Sequence, residues 1–202
     1  MSETNSSAIE TIGEADDLVL PRRSFFARAG QATLSASAVM LLAGCASGGY
    51  SKSADAASAE SDVRILNTAL GAEQEAVAAY QVGAESGLLS SDVLKVAVQF
   101  QGHHKEHADL LAKTVAQLGG QAVEPLARYD LPVDKLKTQA DVLQFAAGLE
   151  KGAVSAYLGA VPLFGNRDLA KAAASILGDE AMHWAVLRGA LGMDPVPVAF
   201  VS

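Results

Sequence analysis

The chain has 202 residues, of which 50% are hydrophobic and 19% are charged, so it can bury one sizeable core and we expect one folded domain. Its net charge of −8 argues against nucleic acid as a partner, because binding to a phosphate backbone needs a basic face. The single cysteine excludes an internal disulfide framework.

The first 45 residues read as an export signal. The sequence Arg-Arg-Ser-Phe-Phe at 22–26 resembles a twin-arginine motif, although Pro21 precedes it where Ser or Thr is usual. The apolar run 29–42 is too short and too polar for a permanent span, which needs about 20 apolar residues. It ends in Leu-Ala-Gly-Cys, which resembles a bacterial lipobox with Cys45 as the lipidated residue. Residues 1–45 are therefore predicted to be a twin-arginine lipoprotein signal peptide. The alternative is an uncleaved membrane anchor with an incidental cysteine.

These signals predict a protein that is anchored by lipid and faces the periplasm. Ala46 follows Cys45 where an Asp would indicate retention at the inner membrane, so the outer membrane is favoured. The twin-arginine route carries folded cargo, which would allow a metal to be acquired before export. Residues 46–60 are rich in Ala, Ser, Gly and Asp and are predicted to form a flexible tether. Removing residues 1–45, with three basic and five acidic side chains, leaves a net charge of −6.

Residues 61–192 carry apolar side chains spaced by three and four, which is typical of amphipathic helices. The first helix is predicted to begin near Ser61 or Asp62, either of which can cap it, and to end before a turn at Gly87. A second helix is predicted over residues 90–118, between Ser and Asp caps and a Gly-Gly stop.

The second half of this region repeats the arrangement. Segment 121–137 contains two prolines and is long for a helix connection, which suits a crossover between two helical hairpins. The third helix is predicted over residues 138–160, and the fourth begins at Asn166 or Asp168 and ends before a short tail, 193–202. The predicted fold class is all-α, a four-helix bundle with an internal two-fold.

One motif occurs in both the first and the third helix. Segments 73–80 and 150–157 are identical at five of eight positions, including the Glu that opens each and the Tyr seven residues later. Residues i and i+7 lie on one helix face. Thirty residues after each Glu comes a histidine-bearing segment, 103–107 or 180–183, and these two segments contain all four histidines of the chain. Glu and His repeated in this way point to a metal site.

Six side chains are predicted to converge as metal ligands: Glu73, His104, His107, Glu150, Glu180 and His183. Glu180 and His183 are three residues apart, as are His104 and His107, so each pair shares a helix face. Carboxylates would neutralise the cations, and neutral imidazoles would complete the coordination. His103 is a weaker candidate, and Glu106 is discounted because one residue rotates a helix face by about 100°.

This pattern resembles the ferritin-like superfamily, in particular the exported bacterial ferritin-like domain proteins, over residues 61–192. The resemblance implies a di-iron carboxylate site with one Glu from each of two helices and a Glu-x-x-His from each of the other two. Glu73 and Glu150 match the single glutamates.

The two Glu-x-x-His positions match unequally. Glu180 and His183 reproduce one of them, and His107 is the His of the other. His104 stands where its Glu is expected, so three carboxylates remain instead of four. That change favours a nitrogen-rich site or a single metal over a bridged di-iron centre.

Several positions have a second interpretation. His104 is a ligand, a partner of a ligand or a solvent-facing residue. A Glu on an apolar helix face is often a solvated edge residue, and Glu180 with His183 would otherwise be a buried ion pair. Tyr80 and Tyr157 are read as core packing or as hydrogen-bond donors to a ligand carboxylate rather than as redox centres. Trp184 is read as packing at the bundle edge.

The leading functional hypothesis is a lipid-anchored ferritin-like protein that binds one or two transition metals, iron first. It would act as a di-metal carboxylate oxidoreductase toward iron, dioxygen or peroxide, with no catalytic residue assigned. The alternative, favoured by His104, is a non-catalytic envelope scaffold or interaction protein with a degenerate metal site. A metal-storage cage is disfavoured by the lipid anchor. The expected partner is the membrane, through modified Cys45; a homodimer and a protein partner are left open.

Overall fold

A computed structural model of the protein describes residues 50–201, with side chains from residue 56 onward. The predicted signal peptide, with its arginine pair and Cys45, and residues 46–49 of the predicted tether lie outside this part. Four α-helices make up most of the described chain, which contains no β-strand. They are α1 (Tyr50–Glu85), α2 (Ser91–Gln117), α3 (Gln139–Ala160) and α4 (Arg167–Ala190).

The helices form two hairpins joined by a long crossover, as predicted. The main packing is of α1 on α2 and of α3 on α4, and the hairpins approach each other through α1 and α3. The crossover, 118–138, contains a single short 3₁₀ helix, Val133–Lys135. None of the helices within residues 50–201 is both long enough and apolar enough to cross a bilayer.

The helix ends follow local capping rules. Gly87 and Gly119 have φ values of 70° and 77°, a left-handed conformation that glycine adopts without a Cβ penalty, so the first two helices end where predicted. Thr138 and Asp141 form a reciprocal capping box at the start of α3. Of the two predicted caps for α4, Asn166 is the one used: its side chain accepts a hydrogen bond from the Asp168 N–H.

The predicted start of the first helix is wrong. Helix α1 begins at Tyr50 rather than near Ser61, so residues 50–60 are helical and not a flexible tether. This segment contains four alanines and neither Gly nor Pro, a composition that favours helix once a longer helix is there to extend.

Asp62 does not cap α1 either. It is buried within α1, and its carboxylate accepts hydrogen bonds from the backbone N–H groups of Gly165 (2.9 Å) and Asn166 (3.0 Å) at the start of α4. A Cβ at Gly165 would collide with the Ser58 hydroxyl, so a larger residue there would force the Ser58 side chain to rotate.

The apolar core consists of two clusters. One centres on Leu66, Leu70, Leu111 and Val115, and the other on Phe100, Leu143 and Leu187, with Trp184 packed at its margin as predicted. Tyr157 belongs to the first cluster and Tyr80 to the second, and both hydroxyls hydrogen-bond to buried carboxylates. A group of buried polar side chains therefore adjoins both clusters.

Candidate metal centre

The six predicted ligands are brought together inside the bundle. They come from all four helices: Glu73 from α1, His104 and His107 from α2, Glu150 from α3, and Glu180 and His183 from α4. Five are at most 3% exposed, and the His107 side chain is 14% exposed. Burying ionisable groups is costly unless they are paired or bind a metal, so this concentration requires compensation.

Two overlapping groups of ligand atoms can be distinguished, each with its atoms within 4.8 Å of one another. The first contains Glu73, His104, His107 and Glu180. In it, His107 Nδ1 lies 3.1 Å from Glu180 Oε1 and 3.5 Å from Glu73 Oε2. His104 Nδ1 lies 2.7 Å from Glu73 Oε2.

The second group contains His104, Glu150, Glu180 and His183. His183 Nδ1 lies 3.4 Å from Glu180 Oε2 and 3.6 Å from Glu150 Oε1, and His104 Nε2 lies 3.3 Å from Glu150 Oε1. Ligands bound at 2.0–2.2 Å to one ion are themselves about 2.8–3.6 Å apart, depending on the coordination geometry. Most of the distances in both groups match that spacing, whereas the 2.7 Å between His104 Nδ1 and Glu73 Oε2 is that of a hydrogen bond.

Glu180 and His104 belong to both groups. Glu180 Oε1 faces His107, while Glu180 Oε2 faces His183. His104 presents Nδ1 to Glu73 and Nε2 to Glu150. It is 1% exposed, so the solvent-facing interpretation of His104 is wrong.

The two repeated tyrosines hold the carboxylates of the opposite helix. The Tyr157 hydroxyl of α3 donates to Glu73 Oε1 of α1 at 2.6 Å, and the Tyr80 hydroxyl of α1 donates to Glu150 Oε1 of α3. This crossed pairing is the structural outcome of the sequence repeat. Burial together with the neighbouring carboxylates raises the pKa of both phenols, so both stay protonated donors.

Buried polar atoms without a hydrogen-bond partner are concentrated in this group. Among the described residues they are His107 Nδ1, Glu150 Oε2, both oxygens of Glu180, and His183 Nδ1. Such atoms are rare in folded proteins and call for a ligand, an ion or a water. All five belong to predicted metal ligands, and nitrogen and carboxylate donors in this mixture suit a transition-metal ion. The residues present therefore fit a metal.

The electrostatics of the group follow from close packing of carboxylates and imidazoles. Burial alone would raise the pKa of Glu73, but its contacts with His104 and His107 lower it to about 2. Burial opposes the charged form of His104, yet hydrogen bonds with Glu150 and Glu73 raise its pKa to about 10. Burial raises the pKa of Glu180, with Glu150 acting in the same direction.

The pKa values of the other two histidines in the group, His107 and His183, shift in the same direction as that of His104. Burial would lower the pKa of His107 and His183, but contacts of His107 with Glu180 and Glu73, and of His183 with Glu150 and Glu180, raise it to about 9 in both. Burial would also raise the pKa of Glu150, and its contacts with His104 and His183 outweigh burial and lower it. A metal at this site would displace protons from these imidazoles.

Asp179 is a polar residue of this region that the sequence analysis did not find. Its Oδ2 atom lies 3.2 Å from His103 Nδ1, 3.2 Å from His183 Nε2 and 3.4 Å from His107 Nε2. The four-residue spacing from Asp179 to His183 was a signal for it, since i and i+4 share a helix face. Glu106, which had been discounted, is exposed.

A cavity of about 670 Å³ leads to one side of the group. It is lined by residues of α1 and α3, many of them Ala or Gly, and reaches Glu73, Glu150 and His104. Neither His103 nor Asp179 lines it.

Comparisons with known proteins agree with this architecture. A family model for the ferritin-like domain matches residues 61–193. A conserved hypothetical protein, rv2844, from Mycobacterium tuberculosis has 22% identity and a TM-score of 0.62, over 71% of this chain and 99% of that one.

A second crystal structure has a similar fold. It is a structure of "ferritin like, diiron-carboxylate proteins" from Bacillus anthracis str. Ames. The two chains have 18% sequence identity and a TM-score of 0.58, and the alignment covers 66% of this chain and 97% of the other. No curated protein is significantly similar to the chain. With a family model covering most of the bundle and a matching four-helix fold, this chain belongs to the ferritin-like domain family.

Proposed function

We propose that this protein binds one or two transition-metal ions, iron first, through Glu73, His104, His107, Glu150, Glu180 and His183. The observation that carries the proposal is that five buried nitrogen and oxygen atoms of this group have no hydrogen bond. Four of them face each other in two imidazole–carboxylate pairs, at 3.1 and 3.4 Å. The Bacillus anthracis protein of similar fold is described as a diiron-carboxylate protein, which supports iron.

We assign the ligands to the two ions from the two overlapping groups. Glu73 and His107 would hold one ion, and Glu150 and His183 the other. Glu180 has an oxygen directed toward each pair and would bind both ions. His104 lies between Glu73 and Glu150 and is available to either ion.

Iron bound here would supply one-electron chemistry toward dioxygen or peroxide. The chain's own contribution is to bind, orient and shield. Tyr80 and Tyr157 keep Glu150 and Glu73 oriented through their hydroxyls. The apolar clusters on either side limit access of water, and the cavity along α1 and α3 offers a path for a molecule as small as dioxygen or peroxide. The proposed activity is of the ferroxidase or peroxide type.

The test is metal content after purification without chelators. We expect at least one equivalent of tightly bound metal, retained through desalting, once iron, manganese, zinc and copper have been offered. The double variant Glu73→Gln/Glu150→Gln should hold no metal after desalting, because two carboxylate ligands are neutralised without a change of shape. The double variant Glu75→Gln/Glu106→Gln removes the same charge from exposed positions and should retain the metal. Native protein with well below one equivalent would refute the proposal.

The second candidate function is a non-catalytic envelope scaffold. It is favoured by His104, whose two ring nitrogens lie 2.7 Å from Glu73 and 3.3 Å from Glu150. A protonated imidazole in this position would supply part of the positive charge that a metal otherwise brings. A thermal unfolding temperature that no metal changes would favour this function, because a ligand of the folded state alone must raise stability.

We also propose export by the twin-arginine route and anchoring through lipidated Cys45, with the outer membrane as the destination. The support is the arginine pair at 22–23 and the lipobox-like sequence that ends at Cys45. Cys45→Ser should abolish the incorporation of a labelled fatty acid into the protein. The double variant Arg22→Lys/Arg23→Lys should remain in the cytoplasm. Equal labelling of the native and Cys45→Ser proteins by a radioactive fatty acid would contradict the lipid anchor.

A further inference from the structure

His103, Asp179 and His183 form a second cluster of donor atoms at the edge of the bundle between α2 and α4. His103 Nδ1 lies 2.8 Å from His183 Nε2, and both nitrogens lie 3.2 Å from Asp179 Oδ2. Three donor atoms that close together match the spacing of neighbouring ligands around one ion, about 2.8–3.6 Å. Two imidazoles and one carboxylate suit a divalent transition metal.

The cluster is accessible to solvent, unlike the buried group. The side chains of His103 and Asp179 are 34% and 23% exposed, whereas that of His183 is 2% exposed. The rings of His103 and His183 stack with their centroids 5.1 Å apart. The Phe100 ring stacks on the His183 ring with a centroid distance of 4.0 Å. The contact with the His183 ring orients His103 toward the other two side chains of the cluster.

The His183 ring lies between this outer cluster and the buried group of predicted ligands. Its Nε2 atom faces His103 and Asp179, while its Nδ1 atom faces Glu150 and Glu180. A neutral imidazole has one free lone pair, so His183 can serve an ion on one side or the other but not on both. For an ion to move from Nε2 to Nδ1, the ring proton must leave Nδ1, where Glu150 and Glu180 can accept it, and a proton from solvent must reach Nε2.

We propose that His103, Asp179 and His183 form an outer cation subsite, which captures a divalent transition-metal ion at the surface and through which the buried centre is loaded. The subsite itself needs no metal in the buried group, but its loading role rests on the proposed function. Cations then enter between α2 and α4, on residues that do not line the cavity along α1 and α3.

The existence of the subsite is tested with cobalt(II) on the full chain carrying Glu73→Gln/Glu150→Gln, which leaves all three outer ligands in place. Equilibrium dialysis with visible absorption of cobalt should find one ion per chain. Adding His103→Ala should weaken this binding by at least the roughly 10- to 100-fold that loss of an outer-sphere partner costs. Adding Glu106→Gln, an exposed neighbour on the same helix, should not. Cobalt binding that is equal with and without His103 overturns the subsite.

The loading role is tested in the otherwise unaltered chain by stopped-flow mixing with limiting cobalt(II). His103→Ala should slow incorporation into the buried centre by about tenfold or more while the final buried content stays equal to that of the native chain. If circular dichroism shows that the Glu73→Gln/Glu150→Gln protein does not fold, this comparison of loading rates still tests the proposal. Equal loading rates overturn the inference. A native chain that holds no buried metal, beside a glutamine variant that still binds one cobalt through His103, refutes the proposed function and leaves the subsite standing.

Discussion

Glu180 differs from the other two carboxylates of the candidate metal centre in how it is held. Glu73 accepts a hydrogen bond from Tyr157, and Glu150 accepts one from Tyr80. Neither oxygen of Glu180 has a hydrogen-bond partner, and the two oxygens face different histidines. The second oxygen of Glu73 lies 2.7 Å from His104 Nδ1, so Glu150 has one oxygen without a hydrogen-bond partner, Glu73 has none and Glu180 has two. Glu180 would therefore offer one oxygen to a metal beside His107 and the other to a metal beside His183.

The tyrosine hydroxyls provide the sharpest test of this arrangement. Tyr157→Phe removes the donor to Glu73 without opening a cavity, and we expect metal affinity to fall by roughly 10- to 100-fold, as for other partners that orient a ligand. Competition with a chelator of known affinity measures the change. Tyr129→Phe is the matched control, because the Tyr129 hydroxyl contacts only the backbone of the crossover segment, at Leu126. Equal affinity of the Tyr157→Phe and native proteins would show that the hydroxyl does not act on the site.

At the scale of the helices, the two hairpins are connected by Asp62. This residue of α1 accepts two backbone hydrogen bonds at the start of α4, more than 100 positions along the chain. The contact supplies acceptors for backbone N–H groups that a helix start leaves unpaired. It also fixes α4 relative to α1, and Glu180 and Glu73 lie farther along these same helices.

Removing the Asp62 carboxylate should therefore destabilise the bundle. We expect Asp62→Ala to lower the free energy of unfolding by about 1–3 kcal/mol, the cost of leaving backbone donors without partners. Urea unfolding followed by circular dichroism measures this. Glu60→Ala is the control on the same helix, because it removes only an exposed ion pair with Arg64, worth at most about 1 kcal/mol. A loss for Asp62→Ala no larger than for Glu60→Ala would argue against the tertiary role.

At the scale of the whole molecule, a bundle with an apolar core carries a dense polar group inside it. In the metal-free protein, charged imidazoles balance the carboxylates. Contacts with these carboxylates raise the pKa of His104 to about 10 and the pKa of His107 and of His183 to about 9. The same contacts lower the pKa of Glu73 to about 2. The stability of the metal-free protein must therefore depend on pH.

The direction of this dependence follows from the shifts. Histidine pKa values above the ordinary 6.5 give stability that is fully present below pH 6.5 and is lost as the pH rises through about 9 to 10. The lowered pKa of Glu73 gives stability that is present above pH 4.5 and is lost as the pH falls toward 2. With a chelator present, we expect the thermal unfolding temperature to be highest between these limits, at pH 4.5–6.5.

Metal should change this profile. A bound ion requires deprotonated imidazoles, so its stabilising effect should grow as the pH rises toward 9 to 10, where these imidazoles lose their protons, in thermal unfolding followed by circular dichroism. A chelator-treated protein whose unfolding temperature rises steadily from pH 6.5 to pH 9 would contradict the assigned charge states.

Much of the fold and most of the buried group could be predicted because both depend on helical periodicity. The Glu-to-Tyr spacing of seven in segments 73–80 and 150–157, and the spacing of three between Glu180 and His183, identify residues that share a face in any helix. Glycine and capping residues marked most helix ends for the same reason, since their effect is local. The start of α1 was missed because an Ala- and Ser-rich composition suits both a tether and a helix extension.

The sequence by itself therefore determined a four-helix bundle and the side chains that face its interior. Only the tertiary structure decided which atoms meet: the crossed pairing of each tyrosine with the opposite glutamate, the two directions of Glu180, the contact of Asp62 with the start of α4, and the cluster of His103, Asp179 and His183. The physical reason is that periodicity sets a residue's direction about its own helix axis. Contacts between helices depend also on their relative rotation and depth, which are set by packing of the whole core.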